Sequence, residues 1–196
     1  MLRLREAVNS AFMVILLDKP QVGINAMSYQ NDMVSMKVEG LIFDPLTNTP
    51  IIILKNGDGS RTLPIWVGYP EATAIALEME SVTTPRPMTH DLIKNIITTL
   101  NATVNRIVIN DLKNNTFYAV ISITINGQAL DVDSRPSDAI AVALRVNAPI
   151  FVTQHVLDNA KSVEGAVPPE PGEEEEQFKN WIRDVKPSDF GDIESQ

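Results

Sequence analysis

The chain has 196 residues, an apolar content of 44% and a net charge of −9, a composition typical of a globular protein large enough for one substantial core. It contains no cysteine, which excludes disulfide bonds, thiolate metal sites and a cysteine nucleophile, and which fits a cytoplasmic protein. Ten acids against three bases give residues 164–196 a charge of −7 and leave −2 for residues 1–163, so there is no broad basic surface for non-specific nucleic-acid binding.

Residues 1–32 have no clear pattern and are predicted to be an N-terminal extension. Their one apolar run, residues 11–17, follows Arg3 and Arg5 in the manner of a signal peptide, but no small-residue cleavage site follows it. The run is also too short to cross a bilayer, which takes about 20 residues. The sequence therefore predicts no association with a membrane.

The first well-patterned region is β-structure followed by a helix. Alternating and apolar runs predict strands over residues 34–43, 51–54 and 63–67. Turn residues separate them at 44–48, and Asn56-Gly57-Asp58-Gly59 predicts a hairpin. An alanine-rich segment, residues 71–80, is predicted to be helical and ends before Pro85.

A second helix is predicted over residues 89–100, with Thr89 as its N-cap and Asp91 in its first turn. Its apolar residues have helical spacing and predict one buried stripe, formed by Leu92, Ile93, Ile96, Ile97 and Leu100. Strands are then predicted at 104–109, 116–125 and 130–132, a helix from Pro136, a strand at 150–152 and a short helix at 156–161.

The chain resembles itself at an offset of 67 residues, which places Asp44 on Asp111, Leu63 on Leu130 and Glu71 on Asp138. The turns coincide as well as the alanine-rich helices. We therefore predict an α+β domain over residues 33–160, built from a duplicated β-β-β-α unit (34–82 and 101–149) with an additional helix between the copies. Each copy places an acid at the start of its helix, so Glu71 and Asp138 are expected in comparable environments.

The C-terminal region differs in composition from the domain. Residues 161–176 are rich in proline and glutamate and are predicted to form a solvated linker. Within residues 177–196, Phe178, Trp181, Ile182 and Val185 have the spacing of an amphipathic helix. Such a helix docks on its own domain or on a partner, and docking on the domain is the more common outcome.

The chemistry left to the chain is that of carboxylates, arginines and one histidine. It has no phosphate-binding loop, dinucleotide fingerprint or zinc spacing, and only two histidines, His90 and His155. Four acids accompany His90 in the motifs, namely Glu71, Asp91, Asp133 and Asp138, and oxygen ligands suit Mg²⁺ or Mn²⁺. Arg86 and Arg135 each adjoin a proline, where a guanidinium on stiff backbone can bind a phosphate. In the alternative interpretation these groups are only helix-dipole partners, caps and surface ion pairs.

Several runs resemble the bifunctional nuclease domain family over about residues 33–160. They are Leu63-Pro64-Ile65-Trp66-Val67-Gly68, Glu71-Ala72 through Ala76-Leu77, Pro85-Arg86-Pro87-Met88-Thr89-His90-Asp91-Leu92, Thr116-Phe117-Tyr118-Ala119 and Asp133-Ser134-Arg135-Pro136-Ser137-Asp138-Ala139-Ile140-Ala141. The departures are Ser134, Asn115 and Ser81, where alanine, glycine and glycine are common in the family. The resemblance implies an α+β domain, a homodimer and activity on DNA and RNA, but no defined mechanism.

Two functions follow as hypotheses. The first is a cytoplasmic, dimeric nuclease of low sequence specificity, assisted by Mg²⁺ or Mn²⁺. Its catalytic residues are His90, Asp91, Asp133 and Asp138, its substrate is bound by Arg86, Arg135 and Ser137, and its metal is held by Asp133, Asp138 and Glu71. The second is a non-catalytic regulatory module that binds an anion or a protein.

Overall fold

The computed structural model describes residues 32–44, 46–160, 180 and 181. The predicted extension before Asp32 and the predicted linker over 161–176 lie outside the described residues. The seven strands are β1 (Met33–Phe43), β2 (Pro50–Asn56), β3 (Thr62–Trp66), β4 (Thr103–Lys113), β5 (Thr116–Ile125), β6 (Gln128–Ser134) and β7 (Ile150–Thr153). The four helices within residues 46–160 are α1 (Tyr69–Met79), α2 (Thr89–Thr99), α3 (Pro136–Val146) and α4 (Gln154–Ala160).

The strands form one sheet in the order β3-β2-β1-β7-β4-β5-β6. Only β7 and β4 pair in parallel, and the other neighbours are antiparallel. The α+β class predicted from the sequence is therefore confirmed. Both halves run outward from β7 as three-stranded meanders followed by a helix, and the first strand of each carries a register shift, after Val38 and after Val104. This is the arrangement that a duplication requires, while the superposition of the two copies stays a prediction.

Helices α1 and α3 cover one face of the sheet and contact each other. Alanine is the most frequent residue at their buried positions, and the exposed fractions of Ala72, Ala76, Ala139, Ala141 and Ala143 are at most 1%. Small side chains let helix backbones approach the sheet closely, and the larger strand residues Ile52, Leu54, Ile107 and Ile109 fill the space between them. This close packing fixes the first turns of both helices relative to each other.

The predicted start and buried stripe of α2 are wrong in part. The helix begins at Thr89, so its N-cap is Met88, while Asp91 lies in the first turn as predicted. Ile93 and Ile97 pack against the core, but the exposed fractions of Leu92, Ile96 and Leu100 are 53%, 49% and 55%. The reason is that α2 packs mainly on α3, and one neighbouring helix is too narrow to cover a stripe of five residues.

Trp181, in the helical pair Asn180–Trp181, packs against the domain. Its ring meets Phe43 edge-on at 6.0 Å between centroids and Tyr69 at 6.2 Å. At this residue the amphipathic segment therefore docks on its own domain. No helix among the described residues is long and apolar enough to cross a membrane.

Candidate functional site

The site is built on the first turns of α1 and α3, which have the same design. Gly68 and Arg135 are the N-cap residues, a proline lies in each first turn, and Glu71 and Asp138 are the first-turn acids. Proline is favoured there because its missing N–H has no partner at a helix start, and an acid there interacts well with the helix dipole. The two helix starts thus place one carboxylate each at the third residue of their helix.

One guanidinium joins these two carboxylates. Arg135 Nε donates to Asp138 Oδ2 at 2.8 Å, and Nη2 donates to Asp138 Oδ1 at 3.2 Å. Nη2 also lies 2.8 Å from Glu71 Oε1. The hydrogen bonds that Arg135 donates to Asp138 and Glu71 raise its pKa above the usual value, so Arg135 is a permanent cation between the two helix starts.

Gly68 leaves room for this pairing. A Cβ built at this position would collide with a carboxylate oxygen of Glu71. Because the backbone of Gly68 is extended, with φ of −74° and ψ of 159°, conformational freedom does not require a glycine here. A larger residue would instead force the carboxylate of Glu71 to move.

His90, in the first turn of α2, is the fourth member of this group. Its Nε2 lies 3.1 Å from Asp138 Oδ1, and its side chain is only 9% exposed. Burial raises the pKa of Asp138, but the hydrogen bonds from Arg135 and His90 outweigh it and hold the pKa below its usual value. Asp138 is therefore ionised at neutral pH and is able to orient the imidazole of His90.

These groups line an open cavity of about 860 Å³. Glu71, His90, Asp133, Arg135 and Asp138 all contribute to its wall. The remaining described wall is mostly apolar and includes Phe117, Ile121 and Val132 from the sheet and Ile93 and Val142 from the helices. The described residues of the wall include three carboxylates and one guanidinium, so this part of the cavity is not basic.

Of the eight site residues predicted from the sequence, five line this cavity and three do not. Arg86 is exposed on the loop before α2, and Thr84 Oγ1 donates to its carbonyl oxygen at 2.8 Å. Ser137 is buried at the start of α3, with 6% exposed. Asp91 is directed to a different partner, and its Oδ1 accepts a hydrogen bond of 2.6 Å from Arg145 Nε.

Arg145 is the charged residue that sequence reasoning missed. It lies in the last turn of α3 and is 5% exposed. Nη1 donates to Ala141 O and Nη2 donates to Ala74 O, each at 3.0 Å, so the guanidinium joins α3, α1 and α2. The available signal was an arginine in an otherwise apolar helix, which indicates a buried partner because isolated buried charge is costly.

The predicted metal ligands Asp133, Asp138 and Glu71 do not assemble into a ligand set. Glu71 and Asp138 both contact Arg135, which supplies the positive charge between them. Among the described residues there is no group of three or more histidine, aspartate or glutamate side chains that could hold a metal ion. In this arrangement the carboxylates fit a guanidinium better than Mg²⁺, which requires near-octahedral oxygen ligands.

Comparison with known proteins connects this site to one family. The family model described as the bifunctional nuclease domain matches residues 52–164, which include both helix starts and His90. An uncharacterized protein of Mycobacterium tuberculosis is 40% identical over 161 residues, covering 79% of this chain and 96% of the relative.

Two rice proteins are also similar. A protein of Oryza minuta named bifunctional nuclease is 27% identical over 150 residues, covering 74% of this chain and 45% of the relative. The bifunctional nuclease 2 of Oryza sativa subsp. japonica is 32% identical over 123 residues, covering 60% of this chain and 38% of the relative. The chain spans less than half the length of these plant relatives.

Proposed function

Since the chain belongs to the bifunctional nuclease domain family, we propose that it hydrolyses phosphodiester bonds in DNA, RNA or both, with low sequence specificity. The observation that supports this proposal is the group formed by Glu71, His90, Arg135 and Asp138 at the wall of the 860 Å³ cavity. A cytoplasmic location stays a prediction.

In the proposed mechanism Arg135 positions the phosphate. Its contacts with the two carboxylates use Nε and Nη2, which leaves Nη1 without a partner among the described residues. The side chain is 66% exposed, so Nη1 has access to solvent. A guanidinium held at a fixed angle by two carboxylates loses little entropy when it binds a phosphate oxygen.

His90 is the proposed proton-transfer group. Asp138 holds the imidazole through Nε2 at 3.1 Å, in the way that an ionised carboxylate orients a catalytic histidine. Asp133 comes two residues before Arg135 in the sequence. It is exposed and lines the cavity, where it is available to orient water. Assistance by Mg²⁺ or Mn²⁺ stays a prediction, and no step is assigned to the ion.

The test compares hydrolysis of single- and double-stranded DNA and RNA by rigorously purified wild-type protein and variants, first with chelator and then with Mg²⁺ or Mn²⁺ restored. We expect His90→Ala to reduce kcat by about 100-fold with little change in KM, since a proton-transfer group contributes on this scale. Asp138→Asn keeps the shape and removes the charge, and we expect a loss of at least about tenfold.

Asp131→Asn is the matched control. Asp131 lies on β6, near Asp133, is exposed, and accepts a hydrogen bond of 2.7 Å from Ser122 Oγ, outside the cavity wall. We expect wild-type rates from this variant. Equal hydrolysis by wild type, His90→Ala and Asp138→Asn would place the activity elsewhere or in a contaminant.

A second candidate function is a non-catalytic module that binds an anion or a protein, and the excess of acids in the cavity wall favours it. Three carboxylates against Arg135 repel a phosphate unless His90 is protonated or a cation is supplied. Under this alternative, an oligonucleotide or a protein partner binds wild type without being cleaved. Binding measured in the same samples that show no hydrolysis would identify this function.

We also propose that the protein forms a homodimer. Leu92, Ile96 and Leu100 make an exposed apolar stripe on α2, and Leu130 and Val132 are 41% and 45% exposed on β6. β6 is an edge strand of the sheet, and open edges with apolar residues are commonly covered by association. A second copy of the chain is the proposed occupant of this surface.

A further inference from the structure

Arg145 is a buried charge that the proposed reaction does not use directly. It is 5% exposed, lies near the end of α3 away from the cavity wall, and has hydrogen-bonded partners on all three helices of the site. Glu78 of α1 is a further acid facing it, with Oε2 4.0 Å from Nε. Burying a guanidinium costs more than burying an apolar side chain of the same size, so stability alone is a weak reason for its presence.

The partner that matters is Asp91. Oδ1 of Asp91 accepts from Arg145 Nε at 2.6 Å, and Oδ2 accepts from the backbone N–H of Met88 at 2.8 Å. One carboxylate therefore ties the N-cap of α2 to a guanidinium that is itself bonded to the backbone of α1 and α3. Burial raises the pKa of Asp91, but the hydrogen bonds from Arg145 and Met88 lower it more, and the net pKa lies below its usual value.

His90 is adjacent to Asp91 in the same turn, and its Nε2 meets Asp138 of α3 at 3.1 Å. The distance between these two groups depends on how the first turn of α2 is seated against α3. Of the apolar stripe of α2, only the partly buried Ile93 and Ile97 pack against the core, and Leu92, Ile96 and Leu100 are exposed. The polar tie through Asp91 is thus a contact that holds the turn carrying His90 to both α1 and α3.

We propose that Arg145 is a positioning residue, which holds the first turn of α2 against α1 and α3 so that His90 reaches Asp138. Its effect on turnover rests on the proposed nuclease function, while its effect on His90 does not. Asp91 then acts through Arg145 and not by direct contact with the substrate.

The experiment replaces Arg145 and observes His90. Arg145→Lys keeps the charge but has no planar fork for three simultaneous partners, and Arg145→Gln removes the charge. The ring signals of His90 are measured by NMR at one pH, since the chain has only two histidines and His155→Gln assigns them. Kinetics on the oligonucleotide cleaved by wild type are measured in parallel.

We expect both variants to shift the His90 ring signals and to lower kcat by roughly 10- to 100-fold, because a small displacement of a catalytic group has this effect. KM is expected to change less than twofold, since a displaced proton-transfer group affects turnover more than binding. The matched control is Glu39→Gln with Lys55→Met, which removes an exposed ion pair of 3.6 Å between β1 and β2. This double substitution is expected to leave the His90 signals and kcat unchanged.

A folded Arg145→Lys or Arg145→Gln protein with wild-type His90 signals and kcat would overturn the proposal and leave Arg145 a structural residue. If Arg145→Gln does not fold, Arg145→Lys decides by the same two measurements. If no protein in the series hydrolyses nucleic acid, the nuclease function fails, and the His90 signals alone decide whether Arg145 positions the histidine.

Discussion

Arg135 and Arg145 use the same chemistry for different purposes. Arg135 is exposed at the cavity and binds Glu71 and Asp138, whereas Arg145 is buried and binds Asp91 and two carbonyl oxygens. An exposed guanidinium with an N–H group to spare can also bind a phosphate, but a buried one whose partners are all within the protein cannot. Arg135 is thus able to contact the substrate, whereas Arg145 holds the three helices of the site together.

The lowered pKa of Asp91 predicts how stability depends on pH. Because its folded pKa lies below its unfolded value near 3.8, its contribution is complete above that value and is lost as the pH falls through the folded pKa. Asp91→Asn is expected to lower the unfolding free energy by about 1.5–3 kcal/mol at pH 7, as expected for a charge-assisted hydrogen bond.

Urea unfolding of wild type and Asp91→Asn at pH 7, 5, 4 and 3 measures this effect. The difference between the two proteins should shrink at the lowest pH, where protonated Asp91 resembles asparagine. A difference that stays constant over the whole range would show that the charge of Asp91 does not contribute.

Helix α2 is positioned mainly through the contacts of its N-terminal turn. Its N-terminal turn is tied through Asp91 and His90, while the stripe of Leu92, Ile96 and Leu100 faces outward. An amphipathic helix normally buries its apolar stripe. In this helix Leu92, Ile96 and Leu100 stay exposed, and this is the surface at which we propose that a second copy of the chain binds.

Ile96→Glu is predicted to dissociate the proposed dimer without unfolding the domain. Ile96 is 49% exposed, so the protomer tolerates a charge there, whereas an unpaired charge inside an interface is strongly unfavourable. Light scattering at micromolar concentration should give a mass near twice 21.6 kDa for wild type and near 21.6 kDa for the variant.

Thr98→Glu, on the exposed polar side of α2, is the matched control and should remain dimeric. A wild-type mass near 21.6 kDa would contradict the dimer. If Ile96→Glu is still dimeric, α2 does not belong to the interface.

At the scale of the whole molecule, β7 joins two similar halves. It pairs antiparallel with β1 and parallel with β4, which places the two meanders on either side of one short strand. The helices α1 and α3 then meet on one face, and their first-turn acids converge on Arg135. The site is therefore a product of the junction between the halves, and neither half contains it alone.

The C-terminal segment is predicted to stabilise the domain without being essential for it. Truncation after Lys161 should leave a cooperative unfolding transition, because the sheet and its helices lie within residues 33–160. The stability should fall by about 2 kcal/mol through loss of the partly buried Trp181. Trp181→Ala in the full chain is the matched variant and should give a similar loss in thermal unfolding. A truncated protein without a cooperative transition would make the segment part of the core.

The sequence by itself determined the order and type of the elements and the α+β class, because the strand and helix periods are local properties of the chain. It also determined that Glu71 and Asp138 occupy equivalent helix starts, since an offset of 67 residues relates them. Only the tertiary structure decided which partners these groups take. Arg135 is shared by two carboxylates, and Asp91 is bound to Arg145, 54 residues away, since the packing of α1, α2 and α3 brings these groups together. Local pattern also fails for Leu92, Ile96 and Leu100, because periodicity identifies an apolar face but not whether a neighbouring element covers it.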